Sequence, residues 1–145
     1  MSDSARMPRK AAWLGYTGLI PFAVSAAACW LGGDTGAIAA SVFRAYAAAI
    51  LAFLGGIPWG LALGQRVEAE RLAVGVLPAL VAWLALVAPP APGIGVLALS
   101  LAAFYGWDRA RNLMATPVWF RRLRRDLTAG ALVCHAVAIA AILAV

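Results

Sequence analysis

Apolar residues run along this chain in five long blocks, at about residues 12–31, 41–64, 72–88, 94–107 and 127–145. Each comes near the roughly 20 residues that an α-helix needs to cross a bilayer, so five transmembrane helices are predicted. The first block closes at Gly32-Gly33-Asp34, the second at the polar stretch 65–71, and the third at Pro89-Pro90-Ala91-Pro92-Gly93. Proline cannot easily continue a helix, which predicts a tight hairpin between the third and fourth spans. The fourth span has 14 clear apolar residues, 94–107. That is about 21 Å of helix against a hydrocarbon core of roughly 30 Å. Ahead of the fifth span the period changes. Trp119, Leu123 and Leu127 share one helical face, while Arg121, Arg122, Arg124 and Arg125 crowd elsewhere. A basic amphipathic helix over 117–126 is predicted to lie in the membrane interface, capped by Thr116 and started by Pro117. The predicted fold is all-α: one polytopic domain, 1–145, with five transmembrane helices and one basic interfacial helix.

Composition agrees. The chain has 145 residues, 64% apolar and 12% charged, with a mean hydropathy of +0.87. Soluble domains average roughly 45–50% apolar and 25% charged, so a separate soluble catalytic domain is not expected.

The net charge of +6 is unevenly placed. With the N-terminus inside, the cytoplasmic segments hold Arg6, Arg9, Lys10, Arg66, Arg71, Arg109, Arg111, Arg121, Arg122, Arg124 and Arg125, and the other side holds only Arg44. This asymmetry predicts N-in and C-out, and it explains the basicity without nucleic acid. Abundant Ala and an excess of Arg over Lys suggest a GC-rich genome, hence a bacterial inner membrane. Arg6 to Lys10, followed by Ser25-Ala26-Ala27-Ala28-Cys29, resembles a signal peptide with a small-residue cleavage site. The apolar run continues through Trp30 and Leu31, as a spanning helix would. Cys29 and Cys134 should differ in depth by about 15 Å, so no disulfide is expected.

Few residues invite chemistry. Ala48, Ala52, Gly56, Gly60 and Gly64 recur every four residues in the second span, a small-residue stripe suited to close helix packing or to a dimer seam. Pro21, Pro58 and Pro78 remove helical N–H groups, and Pro58 frees the carbonyl of Leu54 beside Gly55. Three kinks clustered in the cytoplasmic half would make a vestibule, as broken helices do in transporters. Arg44 is expected to snorkel or to pair with Asp34. His135 lies about 12 Å into the fifth span, as an interhelical hydrogen bonder, proton relay or haem ligand. Trp119, Arg121, Arg122, Arg124 and Arg125 are the candidates for anionic lipid, and Asp126 is expected to pair with Arg122. No nucleophile elbow, embedded carboxylate pair, phosphate loop or metal-ligand spacing occurs, so neither an enzyme nor a metal or other cofactor is expected.

Several runs together resemble a known family. They are Leu14-Gly15-Tyr16-Thr17-Gly18-Leu19-Ile20-Pro21-Phe22, Tyr46 through Gly60, Gly75-Val76-Leu77-Pro78, and Pro117-Val118-Trp119-Phe120-Arg121-Arg122-Leu123-Arg124. In this order they resemble the small multi-pass membrane proteins grouped as domain of unknown function 3429, over about residues 12–130. The resemblance implies fold and location, and carries no activity. Two functions are expected to compete. One is a non-catalytic scaffold or assembly subunit that packs against a membrane-protein partner or a second copy. The other is a small transporter or channel working from the kinked half.

Overall fold

The computed structural model describes residues 9–62, 69–112 and 117–145. They form α1 (Arg9–Thr17), α2 (Ile20–Ala28), α3 (Gly33–Gly55), α4 (Ile57–Ala62), α5 (Ala69–Val87), α6 (Pro90–Asn112) and α7 (Val118–Ala144), with a single 3-10 turn at Cys29–Leu31. Four segments are long and apolar enough to cross a membrane: Arg9–Leu31, Gly33–Gly60, Pro90–Arg111 and Val118–Ala144. Leu72–Val87 is a shorter apolar helix. These helices pack into one bundle, with α3 packed on α2, α5 and α6, and α7 on α2 and α6.

The fourth span is longer than its apolar run. Pro90 and Pro92 do not form a loop; they fill the first turn of the 23-residue α6. There the backbone N–H groups have no helical partner to lose, so proline costs little. α6 therefore reaches about 34 Å. The start of the second span moves in the same way, from 41 back to Gly33. Gly32 and Gly33 take φ of 65° and 53°, a left-handed region open to glycine, and so turn the chain between the first two passes.

The basic stretch 117–126 is not a separate interfacial helix. It opens α7, one continuous helix of 27 residues. The side chains along Leu123, Arg124, Thr128, Ala131, His135, Ala138 and Ala141 are buried in one line, so the packed face runs through the arginines. Thr116, the expected cap, lies outside the described residues.

Arg44 also departs from expectation. It is 8% exposed, and it neither snorkels nor pairs with Asp34. Its Nη2 donates to the carbonyls of Ala85 at 2.8 Å, Leu86 at 2.6 Å and Ala88 at 2.6 Å. A helix ends with carbonyls that lack an N–H partner and carry partial negative charge. Where such carbonyls are withdrawn from water they need a donor within the protein. Arg44, reaching across from α3, supplies it. Gly93 at the start of α6 makes room, since a Cβ there would lie 3.1 Å from Arg44 Nε and 3.2 Å from Nη2.

Close packing uses a different small-residue set from the stripe read in the sequence. Ala48 is buried and Ala52 half-buried, but Gly56 and Gly60 are exposed, and Gly64 lies outside the described residues. The cause is geometric. Steps of four residues drift by about 40° each on a 3.6-residue turn, and α3 breaks after Gly55. The tight crossing is Gly55 of α3 on Gly75 of α5: a Cβ at Gly75 would lie 2.8 Å from the Gly55 carbonyl oxygen. Pro78 sits beside them, 3.3 Å from where a Gly55 Cβ would be.

Two of the three expected proline kinks coincide with a helix break. Pro21 lies in the first turn of α2 and Pro58 in that of α4, after interruptions at Gly18–Leu19 and Gly56. Pro78 lies inside an unbroken α5.

Two expected outcomes test this packing. Gly75→Ala should lower stability by about 1–3 kcal/mol through overpacking, while Gly60→Ala, whose Cβ would meet nothing within 4 Å, should be neutral or slightly stabilising. Thermal unfolding of the detergent-purified protein reads both. Arg44→Met should cost about 2–3 kcal/mol by leaving buried carbonyls unmet, and a melting temperature equal to the parent's would refute the capping role.

Candidate functional site

The break at Gly18–Leu19 shapes a concavity with chemical character. Gly18 N–H falls back on the carbonyls of Gly15 at 3.1 Å and Leu14 at 3.3 Å, and Leu19 N–H on Tyr16 at 3.0 Å. The Gly18 carbonyl turns aside and accepts from Tyr46 Oη of α3 at 2.8 Å. A hydroxyl thus stands in for the missing helical donor, as membrane-depth breaks require. On the other side, α1 rests on α7. A Cβ at Gly15 would lie 3.2 Å from side-chain carbons of both Leu123 and Leu127. Tyr16 Oη also reaches Asp126 at 3.4 Å.

Between these contacts lies a cleft of about 220 Å³. α1 and α2 contribute Leu14, Gly15 and Phe22, with Gly18 and Leu19 between them; α3 contributes Ile50, Phe53 and Leu54. Leu101 of α6 closes the back, and Arg124, Leu127, Thr128 and Ala131 of α7 form the far wall. Leu14 and Phe53 on the rim are 75% and 72% exposed.

Arg124 is the unusual wall residue. Its side chain is 10% exposed and its Nη2 lies 2.9 Å from Asp108 Oδ2 of α6. That contact is electrostatic and falls outside hydrogen-bond geometry: Nε, Nη1 and Nη2 are all buried without an acceptor. Buried polar groups are normally hydrogen-bonded, so this guanidinium departs from the rule.

His135 sits deeper, 1% exposed. Its ring meets Phe43 edge-on, with centroids 4.9 Å apart, and Phe22 at 5.5 Å. Phe22 in turn meets Phe43 at 5.4 Å and Tyr46 at 4.9 Å. Nδ1 lies 2.8 Å from the Ala131 carbonyl, which can only accept, so Nδ1 carries the proton. Nε2 has no partner.

The other sequence candidates scatter. Of the positions around the expected kinks, only Leu54 lines the cleft; Gly55, Pro58 and Pro78 are buried elsewhere and Pro21 is exposed. The arginine cluster divides. Arg122 is exposed, Arg121 and Trp119 are half-buried, and Trp119 meets Phe120 edge-on at 5.8 Å. Arg125 pairs with Asp126 at 2.9 Å, in place of the Arg122 pair expected from helical spacing. Only Arg124 turns inward. The signal for this was present in the sequence: Arg124, Thr128, Ala131, His135 and Ala138 fall at spacings of three and four, one helical face.

Cys29 and Cys134 are free thiols. Among the described residues, no three His, Cys, Asp or Glu side chains gather as a metal site.

Comparison with known proteins supports the architecture. The chain is 36% identical to Transmembrane protein 69 of Xenopus tropicalis over 129 residues, which is 83% of this chain and 50% of that relative. It therefore spans about half the length of the relative it matches. No solved structure matches it. The model of a protein family of unknown function, DUF3429, matches residues 7–140. With four helices long and apolar enough to cross a membrane and a transmembrane relative behind it, this chain is a multi-pass membrane protein belonging to the DUF3429 family.

Proposed function

We propose that this protein is a non-catalytic scaffold or assembly subunit of a bacterial inner membrane, oriented N-in and C-out. The observation that carries this reading is the filled centre of the bundle. Phe43, Leu51, Ile94, Leu97 and His135 are each 0–1% exposed, and Phe22 is 2% exposed. A close-packed interior of this kind transmits strain and leaves little room for a solute path. Among the described residues, the two buried arginines are engaged away from the centre, Arg44 on the end of α5 and Arg124 beside Asp108. The orientation rests on the eleven basic residues assigned to one side against Arg44 on the other.

Partnership would use surfaces left open. Gly56 and Gly60 are exposed at the α3–α4 break, where another helix, from a different protein or a second copy, could approach closely. Arg122 and Arg125 would hold anionic lipid at the basic end, at roughly 1 kcal/mol for each arginine near an anionic leaflet. Neither use calls for nucleic acid or a cofactor.

The second reading is a small transporter or channel, and the cleft beside the Gly18–Leu19 break is what favours it. The two readings separate experimentally. Cysteines placed at Leu51 and at His135, in a background with Cys29 and Cys134 replaced, should resist a membrane-impermeant thiol reagent in proteoliposomes. Native mass spectrometry after gentle extraction should find a protein partner in simple stoichiometry. Rapid labelling at both central positions, with no co-purifying protein, would favour the transporter.

A further inference from the structure

We propose that the cleft beside Gly18 and Leu19 binds a single-chain amphiphile, with an anionic head on Arg124 and an acyl chain along the apolar walls. This goes beyond the scaffold reading and does not depend on it.

Three observations converge. First, the walls are hydrocarbon: Leu19, Ile50, Leu54, Leu101 and Leu127 face one another across the cleft, and its exposed rim holds Leu14 and Phe53. A rim of this kind suits entry of a chain from the lipid side. Second, the polar side chains in the wall stand together on α7. Arg124 brings a nine-tenths buried guanidinium whose nitrogens lack acceptors. Thr128, four residues on and buried, puts a hydroxyl on the same face. A guanidinium offers five N–H donors in a planar fork that matches a carboxylate or a phosphate. Third, the volume of about 220 Å³ lies below the roughly 300–1,000 Å³ of drug-sized sites. That leaves room for a small head and the first carbons of one chain, whose remainder would lie out across the exposed rim of Leu14 and Phe53, and it leaves none for a bulky ring system or a nucleotide.

Asp108 is the group that opposes an incoming anion, since it already lies 2.9 Å from Arg124. Its charge is outweighed locally. Arg109 and Arg111 follow it on α6, and Arg121, Arg122 and Arg125 flank Arg124 on α7, against Asp126 as the other acid of these stretches. The head therefore meets a positive field, and its oxygens supply the hydrogen-bond geometry that the Asp108 contact lacks. The shared chemistry is an acidic head on a single acyl chain. A fatty-acid carboxylate and a lysophospholipid phosphate both provide it.

The test uses the full chain in mild detergent with three labelled sixteen-carbon probes: palmitate, palmitoyl lysophosphatidylglycerol and hexadecanol. One equivalent of an acidic probe should be retained, and hexadecanol should bind about tenfold more weakly, as loss of a charge-assisted contact predicts. Arg124→Gln should weaken the acidic probe about tenfold and leave hexadecanol unchanged. Arg124→Lys should fall between the two and serves if the Gln variant does not fold. Ile50→Trp, which fills the cleft, should weaken all three probes while the protein still melts cooperatively. Retention of palmitate alone assigns a carboxylate head, and retention of the lysophospholipid alone assigns a phosphate. Equal binding of palmitate and hexadecanol, acidic-probe binding indifferent to Ile50→Trp, or retention of no probe would each overturn the proposal. All of these outcomes leave the scaffold reading to its own labelling and partner experiment.

Discussion

In a hydrocarbon solvent a backbone carbonyl without a donor has nowhere to turn, and this bundle is organised around the places where that problem arises. The C-terminal end of α5 is the clearest. Arg44 grips three carbonyls there. Because it belongs to α3 and lies against Gly93 of α6, one side chain joins three helices. Removing it would expose the end of α5 and open a hole between two crossings. The break at Gly18–Leu19 is answered in the same manner by Tyr46, also on α3. α3 thus supplies the polar groups that let its neighbours end or bend, while its Ala and Gly positions let them approach.

That division of labour explains the composition of α3. Its buried line of Gly36, Ala40, Phe43, Ala47, Leu51 and Gly55 alternates small side chains with a few large ones. Lipid tails are as apolar as leucine, so helices in a bilayer gain little from burying bulk alone. They gain from contact, and contact is closest where one backbone meets another, as at Gly55 and Gly75. Phe43 and Leu51 then fill the space that the small residues leave at mid-depth. His135 fits this scheme as a ring among rings, bonded to its own helix through Ala131.

Much of this was legible in the chain. The apolar blocks marked an all-helical membrane bundle, and each corresponds to a helix or helix pair of the structure. What misled was local reasoning applied at long range. An i, i+4 stripe looks continuous on paper, but the helical drift carries Gly56 and Gly60 off the packed face. Proline read as a breaker proved to be a starter at Pro90 and Pro92, because a helix's first turn needs none of the N–H groups that proline lacks. Arg44 read as a surface charge because nothing within its own segment reveals that α5 ends opposite it. A side chain whose partner lies some forty residues away is invisible to periodicity.

Arg124 shows where the two kinds of information meet. As one of four arginines in five residues, it reads as part of a lipid-facing cluster. As one point on the line through Thr128, Ala131 and His135, it reads as interior. Both readings hold on one helix turn, since Arg122 and Arg125 are exposed, Arg121 is half-buried and Arg124 alone is buried. A guanidinium placed inward needs compensation, and its contact with Asp108 compensates charge but not hydrogen bonds. Replacing such a pair with apolar residues is often neutral or stabilising, so stability alone gives no reason to put an arginine there. Its position on the wall of an apolar cleft, at the basic end of the bundle, supplies one.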